Sequence, residues 1–268
     1  MEEGEGRFAS FDGVRIAYRV IPAVGGPSVA GPRCPVVLHH GFASDWETNW
    51  VRPGVASALS GAGHDVVLVD ARGHGRSDKP HETAAYEGGA MEKDVEALAE
   101  HLGLGRFDLA GYSMGAFVAM AVVRSDAGRA RVRRLVLGGA GRGPASIADP
   151  ARSERIAAAL ETDDPSSIAD RTAAAFRRFA DATGADRLAL AALQRARHRP
   201  PSLERLADIR LPTLVVVGER DTLVGSGEAL AEAIPGARLV VVPGDHISAP
   251  VKPEFARAIA DFLGEDPP

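Results

Sequence analysis

The sequence predicts an α/β fold built on a mainly parallel, eight-stranded sheet flanked by helices. Three observations predict it. Short β-branched runs alternate along the chain with helix-like stretches, the signature of a parallel sheet with crossovers. The inner runs are apolar at successive positions rather than alternate ones, as strands buried on both faces require. With 268 residues, the chain is long enough for one large core and a modest insertion.

In chain order, "RFASF" and "RIAYRV" (15–20) flank the turn "FDG" and read as an edge hairpin. A Gly/Pro loop follows at 25–35. The inner strands are expected at 36–40 ("VVLHH"), 65–70 ("DVVLVD"), 107–110 ("FDLA"), 133–139 ("RRLVLGG"), 213–219 ("TLVVVGE") and 237–244 ("ARLVVVPG"). Helical patterns fill the intervals at 51–62, 90–102, 114–125 and 226–234, and 254–263 closes the chain. Residues 144–208 break the rhythm. They hold no convincing strand but several helices, each starting near an Asp or Ser able to cap it. This segment is expected to lie as a helical cap over one end of the sheet, between strands 6 and 7. Residues 1–143 and 209–268 form the core. "GGAGRG" at 138–143 lacks the spacing and the acidic partner of a dinucleotide fingerprint.

Composition narrows the function classes. A net charge of −5 gives no electrostatic reason for nucleic acid or an anionic membrane as partner. No run reaches the length of a transmembrane helix, and the acidic N-terminus is unlike a secretory signal, so a cytoplasmic bacterial-type enzyme is expected. Cys34 is the single cysteine and is expected to be a small buried residue, with no disulfide and no zinc site.

The chemistry is expected around "GYSMG". With 30 Gly and 15 Ser, G-x-S-x-G arises by chance in roughly one such chain in five, so context must carry the argument. A serine hydroxyl is a weak nucleophile until a base takes its proton. Ser113 lies between the strand at 107–110 and the helix at 114–125, the setting of a strained nucleophile elbow. Side chains two residues before and after such a serine would collide, which accounts for Gly111 and Gly115. The Met114 N–H, at a helix N-terminus, suits an oxyanion.

With "HHGF", "DARGHGRSDKP" and "GYSMG" following the third, fourth and fifth strands, and "GERD" and "GDH" following the penultimate and the last, the chain resembles the α/β-hydrolase superfamily over nearly its whole length. The resemblance implies Ser113 as nucleophile, Asp221 as acid and His246 as base, in the family's order along the chain. It implies the Phe42 and Met114 N–H groups as the oxyanion hole. It departs from the family's pattern at Asp245, where a Gly is usual, and at Ala116. No Asp follows the sixth strand to serve as an alternative acid.

Blander readings stand beside these. Ser113 fits an ordinary strand–helix turn, His246 a loop histidine, and Asp221 a turn or cap. His74 and His40 read as loop braces and His39 as a strand end. Phe176 and Phe179 either line a substrate pocket or hold the cap helices together. Arg142, Arg177, Arg178, Arg195, Arg197 and Arg199 form a basic streak, read as a solvated face in preference to an acid-recognition site. The function expected is cofactor-free, metal-free hydrolysis of a small-molecule ester through an acyl-enzyme. The alternatives are a C–C bond hydrolase of a β-diketone-type acid, a perhydrolase or haloperoxidase-like activity, and a non-catalytic ligand binder. Oligomeric state is not legible.

Overall fold

The chain opens with an antiparallel hairpin, β1 (Gly4–Ala9) and β2 (Arg15–Ile21), turned through Gly13. The computed structural model describes residues 1–24, 34–141, 149–196 and 203–265. Most of the 25–35 loop, the end of "GGAGRG", the "RPP" at 199–201, and Arg142, Arg197 and Arg199 therefore lie outside the described residues. After the hairpin come β3 (Val36–His39), α1 (Val55–Gly61), β4 (Val66–Val69), α2 (Ala90–His101) and β5 (Phe107–Tyr112). Next are α3 (Met114–Val122), α4 (Asp126–Arg131) and β6 (Val132–Gly138). Four helices follow without a strand: α5 (Pro150–Glu161), α6 (Arg171–Thr183), α7 (Arg187–Arg195) and α8 (Leu203–Leu206). The chain then returns to β7 (Thr213–Gly218), α9 (Gly227–Ala233), β8 (Arg238–Val242) and α10 (Pro253–Gly264).

The eight strands form one sheet in the order β1-β2-β4-β3-β5-β6-β7-β8, antiparallel at the hairpin end and parallel from β4 to β8. Neighbouring residues along one strand feed opposite layers. Leu135 and Leu137 face the layer of α2, α3 and α9, whereas Val136 faces α1 and α10. That is why the inner runs are apolar at successive positions, the charged exceptions in β3 to β7 being Asp108, which pairs with Arg133, and the neighbouring Arg134. At the edge the pattern yields, because β8 has a neighbour on one side only and Val241 is 52% exposed. His39 pairs with Gly111, and Gly111 with Leu137, so the chain leaves β3, β5 and β6 at one level. The carboxyl ends gathered there are where ligands bind in such sheets.

Two helices differ from expectation. The 51–62 pattern is broken by Gly54, whose φ of +81° stops helical hydrogen bonding, so a π-helical turn at Glu47–Val51 precedes the shorter α1. The 114–125 pattern ends at Val122, because the Ser125 hydroxyl accepts from the Gly128 N–H and starts α4.

Asp149, Asp170 and Asp186 cap α5, α6 and α7 by accepting from N–H groups of the first turn, and Gly184 ends α6 in the left-handed region. These helices share a small core of Ile156, Leu160, Ala180 and Leu190 that closes on Ala43, in the loop after β3. The Thr183 hydroxyl donates to the Ala43 carbonyl at 2.8 Å, tying α6 to that loop. No helix among the described residues is long and apolar enough to cross a membrane.

Candidate active site

Ser113 sits between β5 and α3 with φ of +51° and ψ of −111°, a conformation costing on the order of 1–3 kcal/mol for a residue with a Cβ. Its N–H donates to the Gly138 carbonyl at 2.8 Å, which pins the turn to the end of β6. The flanking glycines provide room. A Cβ on Gly111 would stand 2.1 Å from the Gly115 carbonyl oxygen, and one on Gly115 would stand 2.1 Å from that of His39. Sharp as it is, the turn still leaves the Ser113 side chain free to meet residues from other loops.

Those residues arrive from the ends of β7 and β8. Ser113 Oγ lies 3.0 Å from His246 Nε2, and His246 Nδ1 lies 2.7 Å from Asp221 Oδ2. A carboxylate only accepts, so Nδ1 carries the ring proton and Nε2 presents a lone pair to the serine hydroxyl. Asp221 also satisfies its bland reading. Oδ1 accepts from the Leu223 N–H at 3.1 Å, a local turn bond that aims Oδ2 at the histidine. The Arg220 N–H donates to the Gly244 carbonyl at 2.9 Å, holding the two loops together. Asp245 departs from the family's glycine without facing the imidazole. Its carboxylate accepts from the Ser248 hydroxyl and the Ile247 and Ser248 N–H groups, which folds the turn presenting His246 and holds its pKa below the usual carboxylate range.

A residue that sequence reasoning passed over completes the support. The Tyr112 hydroxyl donates to the His246 carbonyl at 2.5 Å, and burial raises its pKa, so the phenol keeps its proton. Its ring needs flat ground: a Cβ on Gly138 or Gly139 would stand 2.9 or 2.5 Å from it. The adjacent glycines that end β6 are therefore the seat of Tyr112, and they were the one sequence signal for it.

The loop after β3, which carries the Phe42 N–H, runs beside Ser113: a Cβ on Gly41 would stand 3.4 Å from the Ser113 Cβ, and Phe42 lines the same cavity. Neither that N–H nor the Met114 N–H donates to an acceptor among the described residues. Asn49 Oδ1 accepts from the Gly41 N–H at 2.8 Å, and Ala43 takes a φ of +58°. His40 Nε2 accepts from the Ala71 N–H at 3.0 Å, so its Nδ1 carries the proton and donates to the Gly41 carbonyl at 2.8 Å. His74 Nε2 accepts from the Ala43 N–H at 3.2 Å while its Nδ1 donates to the Arg72 carbonyl. Among the described residues no group of three or more His, Cys, Asp or Glu is placed to hold a metal ion.

Burial keeps His39 and His74 neutral, with His39 pushed down to about 3 and His74 well below its ordinary value. The unfolded chain protonates both near pH 6.5, whereas the fold does not. The stability they contribute is whole above pH 6.5 and is lost as pH falls from there toward 3. His39 alone accounts for about 2 kcal/mol of loss at pH 5. Urea unfolding of the native chain and His39→Gln at pH 7.5 and pH 5 measures it. The stability advantage of the native chain should shrink by about that amount, and a constant difference overturns the assignment.

A cavity of about 720 Å³ opens on Ser113 and His246. Phe176 and Phe179 line this cavity and also pack against the core of the helical segment, where Phe176 stands edge-on to Phe42 at 5.5 Å. The basic streak divides. Arg177 is buried, bonded to Asp181 and to the Ala159 and Thr162 carbonyls. Arg195 bridges Glu154 and Glu161. Arg178 lines the cavity, together with Arg171, which the sequence reading did not single out.

Comparison with known proteins matches this architecture. The profile of the family described as alpha/beta hydrolase fold covers residues 35–203. A 2-hydroxy-6-oxononadienedioate/2-hydroxy-6-oxononatrienedioate hydrolase of Pseudomonas putida is 30% identical over 254 residues, 85% of this chain and 87% of that protein. The non-heme chloroperoxidase of Streptomyces lividans is 36% identical over 112 residues, 40% of this chain and only 38% of that protein's length. A thermophilic esterase from Thermogutta terrifontis superposes with a TM-score of 0.71 at 26% identity, covering 97% of this chain and 98% of that one.

Proposed function

The chain belongs to the α/β-hydrolase family, and on that premise we propose that it is a cofactor-independent serine hydrolase cleaving a carboxylic ester of small to medium size. One observation carries the reading. Ser113, His246 and Asp221 form a hydrogen-bonded chain, with links of 3.0 and 2.7 Å, that faces an apolar cavity. His246 Nε2 takes the hydroxyl proton as Ser113 Oγ bonds to the substrate carbonyl carbon, and the carbonyl π pair moves onto oxygen. The Phe42 and Met114 N–H groups donate to that oxyanion. As the carbonyl re-forms, the ester C–O bond breaks and the imidazolium passes its proton to the departing alkoxide. Water then repeats the sequence on the acyl-serine and frees the acid. Asp221 holds the imidazole tautomer and stabilises its charged form. Residues 144–208 act as a cap whose Phe176 and Phe179 contact the substrate. The rest of the chain is the catalytic core.

A fluorophosphonate probe and a series of aryl esters of graded acyl length test this together. The native protein should label at Ser113 and turn over the esters that fit. Absence of both would favour a ligand binder. A second reading, hydrolysis of a C–C bond in a β-diketone-type acid, draws support from the Pseudomonas putida relative and its full-length similarity. Aryl-ester turnover without diketone cleavage dismisses it.

Tyr112 acts in this scheme as a positioning residue through the His246 carbonyl. Tyr112→Phe should lower kcat by about tenfold to a hundredfold by loosening the imidazole, with KM little changed. A loss confined to thermal stability, with kcat intact, would make the bond merely structural.

A further inference from the structure

The arginines of α6 differ in what they touch. Arg177 spends its donors on Asp181 and two carbonyls, and nearby Arg155, Arg187 and Arg195 each find an acceptor within the helical segment. Arg171 and Arg178 have no acceptor among the described residues, and both line the cavity that holds Ser113. Seven residues apart, they lie about two helical turns and 10 Å from each other on nearly the same stripe. Between them on that stripe is Ala175, too short to fill the gap. No Asp or Glu lines the cavity among the described residues, and besides His246 its remaining polar side chains are hydroxyls and the Asn49 amide. An exposed arginine on a convex face is ordinarily solvated. Arg171 and Arg178 are also exposed, but they line a concave, largely apolar cavity beside Phe176 and Phe179, where a guanidinium fork suits a carboxylate entering with the substrate.

We propose that Arg171 and Arg178 form an anion subsite, and that the preferred substrate is an ester bearing a second, ionised carboxylate away from the scissile bond. This rests on the serine-hydrolase reading for the reaction, though not for the binding. The distal carboxylate takes no part in bond making. Hydrolysis consumes one water and releases acid and alcohol, with that group unchanged.

The test compares kcat/KM within two isosteric pairs. Mono-aryl adipate against its methyl-capped ester places the charge on the acyl side. Carboxyphenyl acetate against its methyl ester places it on the alcohol side. At least one charged member should be preferred tenfold or more. In Arg171→Gln/Arg178→Gln that ratio should fall at least tenfold, Lys at both positions should restore most of it, and Glu at both should reverse it. Ratios near one in the native enzyme, or ratios untouched in the Gln variant, overturn the proposal. Calorimetry with adipate reads the subsite without turnover. Binding should weaken at least tenfold in the Gln variant, and equal binding overturns the subsite whatever the reaction. Failure of the hydrolase reading looks different: no ester is turned over and the fluorophosphonate leaves Ser113 unlabelled.

Discussion

Ser113→Ala is expected to lower kcat toward an aryl ester by about 10⁵- to 10⁶-fold, with KM moving little. The change removes one oxygen whose hydrogen bond is to His246 Nε2 at 3.0 Å. Alanine carries the same Cβ as serine at φ of +51°, so the backbone strain of the turn is unaltered and the fold should persist. The Phe42 and Met114 donors also remain, and they leave a residual rate above that of free solution. Because serine and histidine act as one unit, His246→Ala should cost about as much, and the double variant hardly more. Asp221→Asn should cost about 10⁴-fold, since an amide can donate to Nδ1 and favour the wrong tautomer. Steady-state kinetics on the four proteins measures all of this. Retention of a few per cent of native turnover in Ser113→Ala would reduce Ser113 to a turn residue, and additive losses would separate the pair.

The parts of the molecule legible in the sequence are those governed by local rules. Strands buried on both faces need apolar residues at successive positions, and five of the six inner runs are buried along nearly their whole lengths, with Asp108 of β5, paired to Arg133 of β6, and Arg134 as the charged interruptions. The exception, β8, sits at an edge, and edge position belongs to topology rather than composition. The elbow was legible because its demand for Gly111 and Gly115 is steric and lies within five residues. Asp221 and His246 follow Ser113 by more than a hundred residues, and no periodicity connects them to it. Only the family's order along the chain did. Tyr112 reaches the carbonyl of a residue 134 positions away, and its trace in the sequence was a pair of glycines with no visible purpose. The arginines show the same limit. A helical period of 3.6 separates Arg171 and Arg178 from Arg177 and Asp181, so two faces of α6 could be drawn from sequence. Which face meets the cavity depends on how Thr183 and the alanine-rich core seat the helix on the loop after β3.

Gly115→Ala is expected to cost more than about 4 kcal/mol and to leave little soluble protein. The backbone there is ordinary, since Gly115 is absent from the residues with positive φ, so conformational freedom is not what the site requires. Space is. The added Cβ would stand 2.1 Å from the His39 carbonyl oxygen and 2.7 Å from that of His40, and backbone atoms at the end of a buried strand cannot rotate aside. Relief requires α3 to move off β3 by about an ångström. That shift carries the Met114 N–H away from the Phe42 loop, so any folded fraction should also lose about a hundredfold in kcat. Gly61→Ala is the control. Nothing lies within 4 Å of its Cβ, it closes α1 at negative φ, and alanine there should be neutral or stabilising by up to about 1 kcal/mol. Soluble yield and urea midpoints compare the two. A Gly115→Ala protein within 1 kcal/mol of native would mean that the elbow packs more loosely against β3 than a 2.1 Å approach implies.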